Sequence, residues 1–202
     1  MSTSLIIVIV IGVLLAGVFF WLIASYNSLV AVRNRYQNAF AQIDVQLQRR
    51  FDLIPNLIET VKKYMSHERE TLEAVVAARS MAQAGLNAAK AQPGNPEVMA
   101  QLSTSEGQLN SVLGRLLAVA EGYPDLKASQ NMMQLSEELT STENKVAFAR
   151  QGFNDSAMIY NTKRETFPTM IAAGIFGFKQ ASLLEIPVEK RHLVQEAPKV
   201  QF

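Results

Sequence analysis

Four polar side chains, Glu143, Arg150, Asn154 and Asn161, recur at steps of seven, four and seven residues, a spacing that sets them along one flank of a helix. A carboxylate, a guanidinium and two amides supply donors and acceptors but no nucleophile. Such a flank is either a solvated edge or one side of a buried or intersubunit polar network, with Arg50 or Arg79 upstream as the expected partners, because buried charges are costly unless paired. The two histidines, His67 and His192, lie far apart in the chain. "HERE" at 67–70 lacks the second histidine that would put two ligands on one helical face, and reads as a charged, solvated turn of helix. No Gly-rich phosphate loop, G-x-S-x-G elbow or kinase motif occurs. Cysteine is absent, which excludes disulfides, thiolate metal sites and a cysteine nucleophile. An enzyme here would need Glu143, Arg150 and His67 to converge across separate helices. The expectation is a protein with no catalytic site, no cofactor and no metal.

A second candidate is "RRFDLIPNLIETVKKYMSHE", residues 49–68. It carries Arg49, Arg50, Asp52, Pro55 and Asn56 in a stretch that otherwise reads as helix. A proline inside a continuous helix costs about 3 kcal/mol through its missing N–H and its ring clash. If Asp52 instead caps a new segment, Pro55 falls in a first turn, where no partner is lost. The apolar stripe stays in phase across the proline, which predicts a capped jog or shallow kink between two collinear segments. The twin arginines offer a surface for a partner.

These residues must be positioned by helices. Residues 5–24, "LIIVIVIGVLLAGVFFWLIA", carry no charge and span about 30 Å as a helix, the thickness of a bilayer core. A retained anchor is favoured over a cleaved signal, because no Lys or Arg precedes the run and it exceeds the roughly 7 to 15 apolar residues of a signal peptide. Trp21 and Tyr26 suit the interfacial aromatic belt, and Arg33 and Arg35 beyond them predict that the main domain is cytoplasmic with the N-terminus outside. Beyond the anchor, Tyr36, Phe40, Ile43, Leu47, Ile54, Leu57, Val61 and Tyr64 make one stripe that resumes at Leu72 and Val75 and is broken by Arg50. After the turn "AQPGNPE", Met99, Leu102, Leu109, Leu113, Leu116 and Ala120 make a second stripe, one position of which is taken by Glu106. After "EGYPDLK", Met132, Leu135, Leu139, Thr142, Val146, Ala149, Phe153 and Tyr160 make a third. No stretch shows the period-two alternation of a strand.

The chain, 202 residues with 49% hydrophobic content and a net charge of +1, therefore reads as all-α. A transmembrane anchor (1–25) leads into an elongated antiparallel bundle of three to four long helices (26–180), with the first helix very long and divided at Asp52. A largely disordered tail (181–202) follows. The near-neutral charge gives no reason to expect nucleic acid as a partner. "FPTMIAAGIFGFKQ" at 167–180 is too short to cross a membrane. If left uncovered, its Met170, Ile171, Ile175, Phe176 and Phe178 form an apolar patch for a subunit contact or a membrane interface; otherwise the segment folds back on the bundle.

The same residues carry a resemblance. From "YNSLV" at 26–30 through "RRFDLIPNLIETVKKYMSHE", "YPDLKA" at 123–128 and "ELTSTENKVAFAR" at 138–150 to "YNT" at 160–162 and "FP" at 167–168, the chain resembles the LemA family of bacterial membrane-anchored helical proteins. Phe153, where the pattern has tyrosine before asparagine, and Met132–Met133, where an aromatic often stands, depart from it while keeping apolar bulk. The resemblance implies a single-pass protein of the bacterial inner membrane with no catalytic activity to transfer. It also suggests a scaffold, or an adaptor for an envelope partner such as a membrane metalloprotease, while the anchor, the long striped helices, the apolar segment at 167–178 and the lack of catalytic groups point to a scaffold that self-associates. In that light "RRFDLIPN" is a structural joint.

Overall fold

The computed structural model describes residues 3–65 and 67–185. Its first element, α1 (Thr3–Lys62), is a single helix of 60 residues, about 90 Å long. Residues 3–20 are exposed on every side, so this stretch buries nothing within the chain, and it is long and apolar enough to cross a bilayer. From Leu29 onward the same helix turns amphipathic: Tyr36, Phe40, Ile43, Leu47, Ile54, Leu57 and Val61 enter the core.

Four more helices and one short turn of helix close the bundle. The chain reverses at residues 63–68 into α2 (Arg69–Ala91), then at 92–95 into α3 (Pro96–Ala120). Asn95 caps α3 by accepting from the Glu97 amide, and Pro96 sits in the first turn, where its missing N–H has nothing to lose. A single turn, α4 (Pro124–Lys127), leads into α5 (Gln130–Glu165), which runs back along α1 and makes the largest interface of the fold. α6 (Thr169–Ile175) and an extended segment to residue 185 finish the described chain. Among the described residues there is no strand.

The bundle of α1, α2, α3 and α5 is the expected all-α architecture, with its division in a different place. Helix α1 runs unbroken through Asp52 and Pro55, so Asp52 caps nothing. The reversal falls instead just after Lys62 and Lys63, where cations complement the negative end of the helix. Leu72 and Val75 thus belong to α2 and continue the stripe only in sequence. Tyr64 lies exposed in the turn while its neighbour Met65 is buried. Of the segment expected as a tail, Ala181 and Leu184 are buried, and residues 186–202, with His192, lie outside the described residues.

Candidate functional site

Pro55 sits within an intact helix because its defect is repaired from outside. Lacking an N–H, it leaves the carbonyl of Phe51, four residues earlier, without its intrahelical donor. Arg79 of α2 fills the gap, its guanidinium Nε donating to Phe51 O at 2.7 Å. Phe51 is wholly buried, so the unserved carbonyl would lie in the core. The proline thus creates an acceptor and the arginine uses it to tie α2 to α1.

One residue from Phe51, the twin arginines point apart. Arg49 is exposed, whereas the Arg50 side chain is 6% exposed and pairs with Glu106 of α3 at 3.2 Å, while its second terminal nitrogen donates to Asn110 one turn further on. Arg50 and Glu106 are the two charges that interrupt otherwise apolar stripes, and they meet in the core. Pairing is incomplete, since among the described residues Arg50 Nε and Glu106 Oε1 have no hydrogen-bond partner. Burial therefore dominates and pushes the Glu106 carboxyl above the usual carboxylate range; nearby Arg50 opposes the shift and Glu143 adds to it. A further bridge, Lys90 to Asp44 at 2.6 Å, ties the end of α2 to α1.

The polar flank of α5 divides into two. Glu143 lies where its charge acts on both Glu106 and Arg150, and burial lowers the Arg150 pKa while Glu143 opposes that shift. This half lies within electrostatic reach of the Arg50–Glu106 pair. Asn154 and Asn161 meet neither Arg50 nor Arg79. Each instead pairs both faces of its amide with one residue of the extended segment. Asn161 Nδ2 donates to Ala181 O at 2.8 Å and its Oδ1 accepts from the Ala181 amide at 2.9 Å. Asn154 does the same to Leu184, at 3.1 and 2.9 Å. Seven residues of helix rise about 10.5 Å and three of extended chain about 10 Å, so the two clamps match in register.

On its other side the segment meets the α2–α3 turn, where the Ser182 amide donates to Gly94 O at 2.7 Å. Gly94 has φ +85°, and a Cβ there would come within 3.1 Å of Ala181 and of Tyr36. Tyr160 completes the attachment by donating to Lys179 O at 2.7 Å. Asp52, Pro55 and Asn56 are exposed on α1, and the Asn56 carbonyl accepts from Thr60. Among the described residues no cluster of three or more His, Asp or Glu side chains could hold a metal; His67 lies exposed in the turn between α1 and α2, far along the sequence from Glu143 and Arg150.

In the patch at 170–178, Met170, Ile171, Ile175 and Phe176 are exposed. Phe178 is not part of it: it is buried beneath the Arg33 guanidinium, 5.3 Å from the ring centre, with Tyr26 against its edge. Sequence reasoning missed the Arg50–Glu106 pairing, Asn110, Gly94 and the receiving segment 181–184. Only the first had a usable signal, one charge of each sign in two facing apolar stripes.

Comparison with known proteins adds a family. The model of the LemA family matches residues 39–202. Among relatives, the Protein LemA of Metamycoplasma hominis is 28% identical over 80% of this chain and 69% of its own length. Magnetosome protein MamQ 2 of Paramagnetospirillum magneticum is 26% identical over 81% of this chain and 66% of its own. Magnetosome protein MamQ of Magnetospirillum gryphiswaldense is 26% identical over 79% of this chain and 64% of its own. The chain thus spans just under two thirds of each magnetosome protein.

Proposed function

The chain belongs to the LemA family, and we propose that it acts without catalysis, as a membrane-anchored helical scaffold that self-associates and organises envelope proteins. The observation that carries this reading is the continuity of α1, which makes the apolar span and the first bundle helix one rod. With residues 5–24 in the bacterial inner membrane and the bundle on the cytoplasmic side, where Arg33 and Arg35 follow the span, every copy stands parallel and at one height. A lateral contact is then available along α1 and α5. Phe148 is 80% exposed there, beside a groove of about 540 Å³ lined by Ala39, Gln42, Gln46, Lys145 and Gly152.

The test is the mass and shape of the full-length protein in mild detergent, beside a chain lacking residues 1–25 and a Phe148→Asp variant. A closed assembly that Phe148→Asp breaks supports the reading. Monomers in both the anchored and the shortened protein overturn it. Use of the twin arginines as a docking surface for a membrane partner retains only Arg49, since Arg50 is interior.

A further inference from the structure

Helix α6 is amphipathic in the wrong sense for a helix at a water-facing surface. Its small residues Ala172 and Ala173, with Thr169, face the bundle, while Met170, Ile171 and Ile175 point away from it. Ile175 is 63% exposed, and Phe167, just before the helix, 73%. A face of large apolar side chains in water calls for a cover.

Its place in the fold says what covers it. Phe176, which ends α6, meets the edge of the Tyr26 ring with centroids 4.9 Å apart. Tyr26 stands two residues beyond the apolar run, a rise of about 3 Å. The exposed face is therefore level with the point where α1 leaves the bilayer, the depth at which aromatic rings and short amphipathic helices settle. Cations sit beside it: Arg33 over Phe178, Lys179 just beyond, and Lys163 in the cleft that Phe167 also lines. These suit anionic headgroups. A second copy fits less well, because one short helix offers roughly a few hundred Å², against about 800 Å² per partner in a stable protein interface.

We propose that α6 lies in the headgroup region of an anionic bilayer as a second membrane contact, which fixes the tilt of the bundle. This rests on the reading that residues 5–24 span the membrane. With no cysteine in the chain, single substitutions can carry an environment-sensitive fluorophore. Leu14→Cys marks the span, Ile175→Cys marks α6, and Met133→Cys marks the far end of α5; all three positions are exposed. Each full-length variant is placed in phosphatidylcholine–phosphatidylglycerol bilayers with spin labels near the headgroups. The probe at 175 is expected to lose about half its emission, since such a face sinks roughly 5–10 Å into the boundary, while the probe at 133 loses none. If 14 reports lipid but 175 stays in water, or is shielded without being quenched, α6 is free or covered by protein and the proposal fails. If 14 reports no lipid, the anchor reading fails instead, and the α6 proposal falls with it.

Discussion

Replacing Arg79 by leucine tests whether it serves the carbonyl that Pro55 orphans. The guanidinium donates to Phe51 O at 2.7 Å, and Phe51 is completely buried. A hydrogen bond from a charged donor contributes about 1.5–3 kcal/mol, and Arg79 is only half-buried, so Arg79→Leu should cost about 1–2 kcal/mol. Pro55→Ala restores an amide at position 55 that can serve the same carbonyl within α1. It should stabilise the protein by up to about 3 kcal/mol, the helix-interior penalty of proline relative to alanine. In that background the carbonyl keeps a donor when Arg79 is removed, so Arg79→Leu should cost less than about 0.5 kcal/mol. The assay is urea unfolding of the full-length protein in mild detergent, followed by far-ultraviolet circular dichroism for wild type, both single variants and the double. A coupling above about 0.5 kcal/mol and up to about 2 kcal/mol is expected. If the two substitutions add within about 0.5 kcal/mol, Arg79 is not acting on the gap left by the proline, and the account of the joint is wrong.

The remaining predictions concern the network and the clamp. Glu106 has a folded pKa above its ordinary 4.5, so the folded state holds the proton longer than the unfolded chain. Its contribution to stability is thus greatest below 4.5 and declines as pH rises through the raised value. Glu106→Gln should flatten that slope in thermal unfolding across mildly acidic pH, whereas Arg50→Ala should cost about 3–5 kcal/mol at neutral pH by leaving a carboxylate only 14% exposed without its partner. A slope unchanged in Glu106→Gln would assign the titration to another group. Asn154→Ala with Asn161→Ala removes four hydrogen bonds to the 181–184 segment, about 2–4 kcal/mol together. The Ala181 and Leu184 amides should then exchange their hydrogens at least tenfold faster, as about 1.4 kcal/mol is a factor of ten in an opening equilibrium; unchanged rates would mean the segment is held by its apolar contacts alone.

Much of the fold was legible because helical stripes repeat what they bury. The residues from Met99 to Ala120 named from spacing are all buried in α3, and those of α1 from Tyr36 to Val61 all face the core. Where the reading went astray, a local rule met a long-range partner. Proline argued for a break at Asp52, and only the fold brings a guanidinium from 28 residues away to the bare carbonyl. The actual reversal after Lys63 came with no glycine or proline, and Leu72 and Val75 happened to continue the period. Asn154 and Asn161 were recognised as a polar flank, but their partners are backbone groups, and a backbone amide leaves no mark in the sequence. The patch was legible as apolar, but its depth relative to the span follows only from the contact between Tyr26 and Phe176.

These features share one mechanical consequence. Arg50 and Pro55 lie about 40–45 Å along α1 from the end of the apolar span, and the turn after Lys62 lies nearly 60 Å away, by a rise of about 1.5 Å per residue. A rod of that length transmits tilt to its far end, so a small change of angle at the apolar span becomes a displacement of many ångströms there. Two groups of contacts resist bending within the chain. Nearer the apolar span the 178–185 segment ties α5 to the α2–α3 turn through Asn154, Asn161 and Gly94. Farther out, Arg79 and Arg50 tie α2 and α3 to α1 where proline would otherwise weaken it. Arg50, Arg79, Asn154 and Asn161, which looked most like chemistry in the sequence, are therefore spent on holding four helices and one further segment together, as the proposed scaffold role would require.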